Sequence, residues 1–291
     1  MFIRRQNTLK KKKEVVEMFG LKRFDGVLVA KTHIHHGGDE KTGAETLLRR
    51  NKYVVDGEIE EIPYISGNAI RGVWRRNIMT DFFNILKYEI KGLRLYHAFF
   101  TGGVLETVDE TKSGVIDLEF KKRINSLIPP ISVFGMSYGN QIFEGKLKVG
   151  MLLPICSELE EYLPEEYAKT CKKPVHDFLD FVHQTRKDDR REAREEDEQA
   201  IQMMINYEVF IAGTPFYHSF SLEDCSEIEE GVVARAVELW KECPYIGGKS
   251  SIGFGELRIH YNRFDLSSKP YLDFVRKNKK EIIELLKEID K

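Results

Sequence analysis

The feature that most constrains the fold is an amphipathic pattern that begins at Ser66. Serine is a residue type that caps helices, and large apolar residues follow it at helical spacing, namely Ile70, Trp74, Ile78, Phe82, Ile85 and Leu86. The pattern predicts a helix that buries one stripe of its surface. Residues 24–34 alternate in a β-rich composition, so the sequence also predicts a strand ahead of this helix.

The rest of the chain alternates between strand and helix patterns. Strands are predicted at 145–153, at 207–222 (one strand, or two broken at Gly213-Thr214-Pro215) and at 253–261, and helices at 228–240 and 271–289. The resulting order of strand, helix, strands, helix and strand fits an α+β fold with a ferredoxin-like (RRM-like) core. No internal repeat of solenoid period is present.

A single domain is expected over residues 1–291, with its core at about 24–100 and 145–261 and a C-terminal helix at about 271–289. Insertions are predicted at about 39–62, 104–125 and 158–206. In the first, Tyr53 to Gly57 supplies one arm of a hairpin. The third is helical in composition, and its section 186–198 interleaves acidic and basic residues, as an exposed helix or a loop does.

Composition excludes several classes of protein. The 45 basic and 47 acidic residues nearly cancel, which rules out a histone-like polycation. No stretch approaches the ~18 consecutive apolar residues of a bilayer span, so we expect a cytoplasmic protein with no membrane partner. The four cysteines contain no C-x-x-C pair, so free thiols are expected rather than a zinc ribbon or disulfides, and no cofactor is predicted.

Basic residues exceed acidic ones over residues 1–76, which is therefore the place to look for a polyanion site. Asn68, Arg71 and Arg75 follow the predicted start of the helix at 66 and lie off its apolar stripe. A helix N-terminus offers unpaired N–H groups and the positive end of the helix dipole, so these side chains suit a phosphate. The alternative is that the arginines are ordinary solvated or ion-paired residues.

Two glycine- or histidine-bearing segments have competing interpretations. The loop at 247–255 contains Gly248, Lys249 and Ser250, but it is not a Walker motif because Cys243 stands where a glycine is required. One interpretation is that this loop approaches a nucleic-acid backbone through its N–H groups and Lys249. The other is that it is a glycine-rich turn between a helix and a strand. His33, His35 and His36 suggest a metal site, acid–base chemistry or loop histidines without chemistry. A metal is disfavoured because no further ligands stand at suitable spacing.

Four motifs in order resemble the RAMP superfamily (repeat-associated mysterious proteins) of CRISPR systems, in particular its backbone subunit. Gly37-Gly38 follows the first strand, and residues 62–72 resemble the family's "PyIpGsslkG" entry to its first helix. Residues 130–135 resemble its "P...lFG" element, and residues 246–255 its C-terminal glycine-rich loop. Together the motifs span about 24–261.

The resemblance implies a ferredoxin-like palm with a thumb hairpin, drawn from 39–62 or 104–125, and copies arranged side by side as a helical filament. It implies binding of CRISPR RNA along its backbone, largely independent of sequence. Expected partners are this guide, a target DNA or RNA, and other effector subunits. The expected RNA-binding residues are His36, Gly37, Gly38, Arg49, Arg50, Asn68, Arg71, Arg75, Gly102, Gly103, Gly248, Lys249 and Ser250.

RNA-cleaving relatives of type III systems are similar but carry an aspartate in the loop before the "PyIpG" motif, where this chain has Glu45. The extra methylene displaces the carboxylate, which disfavours cleavage. We therefore expect a subunit without a catalytic residue, similar to the type IV backbone or a related type I or III one. The alternatives are a target-cleaving type III subunit, a RAMP-fold endoribonuclease that uses His35 or His36, and a protein-interaction scaffold.

Overall fold

The structure is a computed structural model that describes residues 20–42, 45–103, 117–139, 141–170, 172–186 and 203–290. Its strands are β1 (Leu21–Ala30), β2 (Gly37–Thr42), β3 (Glu45–Leu48), β4 (Arg50–Val55), β5 (Glu58–Pro63), β6 (Met136–Tyr138), β7 (Gln141–Phe143), β8 (Leu147–Val149), β9 (Leu153–Pro154), β10 (Leu179–Arg186), β11 (Met203–Phe210), β12 (Pro215–Glu223) and β13 (Leu257–Tyr261). Its helices are α1 (Gly67–Leu86), α2 (Leu93–Phe100), α3 (Leu118–Leu127), α4 (Pro129–Phe134), α5 (Glu165–Ala168), α6 (Glu227–Glu242), α7 (Lys269–Lys277) and α8 (Lys279–Ile289), with short 3-10 turns at Ser157–Leu159, Val175–Phe178 and Ser250–Ile252. The fold is a mixed α+β one, as the sequence predicts.

The central sheet is antiparallel, with strand order β13-β1-β12-β8 and β9 added alongside β12. The register places Leu28 opposite Phe216 and Ile259. These side chains face the main core, together with the buried stripe of α1 and with α6. Trp74 of α1 lies at the centre of that core, 5.8 Å from Trp240 and 5.2 Å from Phe220 between ring centroids.

The opposite face of the sheet carries a smaller core. Val27 and Tyr217 are next to Leu28 and Phe216 in the chain, so their side chains lie on the other face of the sheet. They pack there against Leu159, Leu163 and other residues of the segment 155–178. The β4–β5 hairpin joins this smaller core through Ile62. The predicted hairpin arm at Tyr53–Gly57 is confirmed, because β4 and β5 pair from Arg50–Pro63 to Val55–Glu58.

Several predicted boundaries change. The helical prediction for the insertion at 158–206 is wrong at 179–186 and 203–206, which pair with each other as antiparallel strands β10 and β11. Cross-strand pairing across distant segments overrides local composition there. Residues 187–202, with most of the charged section 186–198, lie outside the described residues. The segment 104–125, the other predicted source of the thumb, lies outside the described residues up to 116. Helix α3 begins within it at Leu118.

Two further elements are broken where one was predicted, and the break that the sequence allowed at Gly213 is present. The strand expected at 145–153 divides into β8 and β9, and between them the Gly150 N–H donates to the Ser219 carbonyl oxygen of β12 at 2.8 Å. The segment at 207–222 is two strands with a turn at Gly213. The last helix divides at Asn278, whose side-chain amide donates to the Phe274 carbonyl. Among the described residues, no helix is both long and apolar enough to cross a membrane.

His218 of β12 gives the main core a pH dependence. Its side chain is fully buried, and its Nδ1 lies 2.8 Å from the Tyr261 hydroxyl oxygen. Burial lowers the pKa of His218 from 6.5 to about 3. Below pH 6.5 the unfolded chain binds a proton that the folded protein does not, so this contribution to stability is complete above pH 6.5 and is lost as the pH falls towards 3.

We expect urea unfolding to show this loss. The free energy of unfolding should fall by about 1 kcal/mol between pH 7 and pH 5.5 through His218 alone, since each full pH unit of one extra proton is worth about 1.4 kcal/mol. His218→Phe should reduce the drop by that amount, whereas the exposed His260→Gln should leave it unchanged. An equal drop in all three proteins would contradict the assignment.

Candidate nucleic-acid interface

The N-terminus of α1 is formed as the sequence predicts. Ser66 has extended backbone angles, and its side-chain oxygen accepts from the Ala69 N–H at 3.3 Å. Gly67 allows the helix to start against β8, since a Cβ there would lie 2.5 Å from the Val149 carbonyl oxygen. Asn68 is exposed at this end of the helix. The geometry leaves the first turn of α1 open to a ligand on the Asn68 side.

Arg75 is not the solvated or ion-paired residue of the alternative interpretation. It is only 6% exposed, and its guanidinium donates to the carbonyl oxygens of Phe99 (3.2 Å), Gly135 (2.8 Å) and Phe134. Phe99 lies in the last turn of α2 and Phe134 is the last residue of α4. Arg75 therefore binds the negative ends of two short helices, an arrangement that the helix dipoles favour.

Arg71 lies one turn earlier and reaches the same place. Its Nη2 donates to the Phe134 carbonyl oxygen at 2.6 Å, so both arginines share one acceptor. Burial, with the neighbouring charge of Arg71, lowers the pKa of Arg75 to about 10, and burial lowers that of Arg71 as well. Both remain cationic at neutral pH, and two positive charges stand side by side.

A cleft of about 730 Å³ opens over these arginines. Asn68, Arg71, Arg75 and Gly102, four of the predicted RNA-binding residues, line it. The others on its wall include Arg76, Tyr96, Phe100 and Gly135. Gly103 lies beside the cleft, where only a glycine fits, because it has φ +77° and a Cβ there would lie 1.9 Å from the Ser137 carbonyl oxygen.

The predicted glycine-rich loop lies against the histidine segment. The Gly248 N–H donates to the His35 carbonyl oxygen at 2.8 Å, and Gly247 takes φ +81° to pass this backbone. Lys249 also has positive φ, and its ammonium nitrogen lies 3.9 Å from the centroid of the Tyr207 ring. Ser250 follows, exposed, at the start of a 3-10 turn.

His36 joins this loop region to the start of α1. Its Nε2 accepts from the Ser66 N–H at 3.2 Å, and its carbonyl oxygen accepts from the Arg49 N–H at 3.0 Å. Burial, then the charge of Arg49 and the neighbouring His35, lowers the pKa of His36. The ring is therefore neutral at neutral pH, as an acceptor at Nε2 must be.

Arg50 has a structural partner that sequence reasoning missed. Glu208 of β11 is buried, and its carboxylate accepts from the Arg50 guanidinium and from the Leu48 N–H, the latter at 2.9 Å. These bonds hold the junction of β3 and β4, where Arg49 lies. Gly38 lies against that junction, since a Cβ on it would be 3.4 Å from the Cα of Arg49. Gly37 lies beside the His35 ring.

The rings of His33, His35 and His36 each contact a backbone group. His35 is buried and its Nδ1 lies 2.8 Å from the Glu208 carbonyl oxygen, while His33 accepts from the Ala212 N–H at 3.1 Å. These contacts are typical of loop histidines that support structure rather than of acid–base catalysts. Glu45 lies in β3, where its backbone pairs with Asn206 and Thr42. No group of three or more potential metal ligands occurs among the described residues.

The predicted residues thus form two adjoining groups. The cleft group is Asn68, Arg71, Arg75 and Gly102, with Gly103 beside it; the loop group is His36, Gly37, Gly38, Arg49, Arg50, Gly248, Lys249 and Ser250. They meet where His36 binds Ser66 at the start of α1. Cationic side chains and glycine backbone side by side are suited to the phosphates of a polyanion.

Comparison with protein families identifies the family of the chain. A family model described as "RAMP superfamily" matches residues 27–258, which is most of the chain. The chain belongs to the RAMP superfamily. The match runs from β1 into β13 and includes both groups of the interface.

Solved structures support the same fold. One chain of a structure titled "Type IV-B CRISPR Complex" is similar to this RAMP protein with a TM-score of 0.62 and 22% sequence identity. The similarity covers 84% of this chain and 92% of the other. A search of curated proteins finds no match.

Proposed function

We propose that this RAMP protein is a guide-RNA-binding backbone subunit of a CRISPR effector complex, similar to the type IV backbone. The observation that carries the proposal is the hydrogen bond from the Ser66 N–H to His36, which joins the loop group to the start of the arginine-bearing helix α1. Backbone N–H groups and cations recognise phosphates without reading bases, which is what a subunit that accepts any guide needs.

The architecture supports the palm and thumb of such a subunit. The order of the elements β1, α1, β8, β12, α6 and β13, together with the sheet order β13-β1-β12-β8, supports a ferredoxin-like core. The β4–β5 hairpin serves as the thumb. Val54 and Ile59 near its tip are exposed apolar residues, which a second copy along the guide would cover. The target nucleic acid and other effector subunits would join this filament.

We expect the subunit to bind the guide without cutting it. By the sequence resemblance Glu45 stands where RNA-cleaving relatives carry an aspartate, and one ring nitrogen in each of His33, His35 and His36 contacts the backbone. Incubation of the protein with labelled repeat or target RNA should leave the RNA intact. Cleavage that Glu45→Gln abolishes would contradict this part of the proposal.

The double variant Arg71→Ala/Lys249→Ala tests the RNA-binding interface. We expect it to weaken binding of single-stranded RNA roughly tenfold, about 1.4 kcal/mol, and to a similar extent for unrelated sequences. The slope of log K against log salt should become shallower by about 0.7 for each phosphate that the variant no longer neutralises. Filter binding at several salt concentrations measures both quantities.

Lys241→Ala is the matched control for Lys249, because its ammonium also lies over an aromatic ring, 5.9 Å from the Phe264 centroid. The control should keep the affinity and the slope of the natural sequence. Unchanged binding in the double variant, or an equal loss in Lys241→Ala, would overturn the proposal. Binding of no RNA by any of these proteins would favour a protein-interaction scaffold.

A further inference from the structure

The floor of the cleft carries positive charge without a carboxylate. Arg71 and Arg75 donate to main-chain carbonyls, and neither forms an ion pair with any residue in the described part of the chain. Glu144 lines the rim, but its side chain is exposed and pairs with neither arginine. Because charges out of water are costly unless an opposite charge balances them, this floor favours an anion.

One donor of these arginines has no acceptor. The Nε of Arg71 is buried and makes no hydrogen bond within the residues that the structure describes. Asn68 and Arg76, both exposed on α1, stand at the same cleft and add an amide and a third guanidinium. Guanidinium groups match the oxygens of a phosphate in geometry as well as in charge. The anion that this set fits is therefore a phosphate group.

One wall of the cleft is aromatic. Tyr96 and Phe100 of α2 stack with ring centroids 4.7 Å apart and planes 22° from parallel. Phe100 covers one face of Tyr96, yet Tyr96 is still 46% exposed. An exposed aromatic ring fixed by a stacked partner is a platform on which a nucleobase stacks, and the stacking tolerates any base.

We propose that this cleft binds one nucleoside 5′-monophosphate unit, with its phosphate on Arg71, Arg76 and Asn68 and its base on Tyr96. The volume of about 730 Å³ lies within the range of small-ligand sites. If the nucleotide is a unit of the guide, the inference rests on the proposed function. One guide nucleotide per subunit then enters the cleft, and the neighbouring nucleotides lie along the loop group. A free nucleotide has the same chemistry, and the experiment separates the two sources.

Fluorescence titration with 2-aminopurine riboside 5′-monophosphate tests the cleft directly, because stacking quenches this base. The natural sequence should give saturable quenching. Tyr96→Ala should raise the Kd about tenfold and reduce the quenching at saturation, and Arg76→Ala should raise the Kd about fivefold. Both residues are exposed, so the variants should fold. Tyr162→Ala, which removes another tyrosine that is 46% exposed, and Arg276→Ala are the controls and should bind normally.

Two results would overturn the inference. One is the absence of saturable quenching, or an equal response of Tyr96→Ala and Tyr162→Ala. The other is competition by inorganic phosphate at the same concentration as the nucleotide, which would mean that the base contributes nothing. Competition only by a much higher phosphate concentration supports a nucleotide site.

Filter binding of single-stranded RNA separates this inference from the proposed function. Weaker RNA binding by Tyr96→Ala and Arg76→Ala, with the controls normal, supports a guide nucleotide in the cleft. If both variants bind RNA normally while Lys249→Ala does not, the cleft inference is overturned and the RNA-binding function stands. If the protein quenches the free nucleotide but binds no RNA, the cleft is a free-nucleotide site and the proposed function is wrong.

Discussion

Arg75→Ala should lower the free energy of unfolding by about 3 kcal/mol. The substitution removes a guanidinium that donates to the carbonyl oxygens of Phe99, Phe134 and Gly135, all at or next to helix ends. A hydrogen bond to a charged group contributes about 1.5 to 3 kcal/mol, and buried carbonyls left without a donor add a penalty. Water that enters through the cleft would hydrogen-bond some of these carbonyls and recover part of the loss. The expected loss in free energy of unfolding is therefore that of one charged hydrogen bond plus one desolvated carbonyl.

Urea denaturation of three variants checks this expectation. Arg75→Lys should recover little, because an ammonium cannot reproduce the fork of a guanidinium. Arg76→Ala removes the neighbouring arginine, which is exposed, and should change stability by no more than about 0.5 kcal/mol. A loss below about 1 kcal/mol for Arg75→Ala, or full recovery by the lysine, would show that these hydrogen bonds do not hold α2 and α4 on α1.

The start of α1 could be read from the sequence, whereas the role of Arg75 could not. Capping by Ser66 and burial of Ile70 and Trp74 are local properties of one helical segment, and they are predicted correctly. Arg75 lies next to Trp74 at the border of the same stripe. The carbonyls that it binds belong to α2 and α4, and no periodicity within α1 indicates that they are there.

The same distinction explains the strands and the buried acid that sequence reasoning missed. Residues 179–186 are polar enough to suggest a helical insertion, but they become β10 because 203–210 supplies the ladder. Glu208 has its partners at Leu48 and Arg50, far away along the chain. Pairings of this kind depend on tertiary contacts, so local composition carries no signal for them.

The glycine-rich loop shows what the motif alone does establish. Its position before β13 is predicted correctly from the run of glycines. Its approach to a nucleic-acid backbone stays a prediction, while the contact that the structure shows is from the Gly248 N–H to the protein's own His35 carbonyl oxygen. The individual glycines are not equivalent, however. Gly247 and Gly253 both have positive φ, but only Gly247 has neighbours within 4 Å of a Cβ position. This difference provides a paired test of how the loop is built.

Gly247→Ala should be the more damaging of two otherwise similar substitutions. A Cβ at 247 would lie 2.5 Å from the His35 carbonyl oxygen, closer than real contacts allow, so the loop must move and the bond from Gly248 to His35 must lengthen. We expect a loss of about 3 kcal/mol, of which about 1 kcal/mol is the cost of φ +81° for alanine and the rest comes from the clash and the weakened hydrogen bond.

Gly253→Ala is the matched control, because its φ of +91° imposes the same backbone strain while no atom lies within 4 Å of the new methyl group. It should cost only about 1 kcal/mol. Urea unfolding measures the difference between the two, and equal losses would mean that the approach to His35 is not tight.

Because the moved loop carries Lys249, Gly247→Ala should also weaken RNA binding at least as much as Lys249→Ala, while Gly253→Ala should bind RNA close to normally. Loss of stability without loss of RNA binding would show that the loop supports the fold and not the guide.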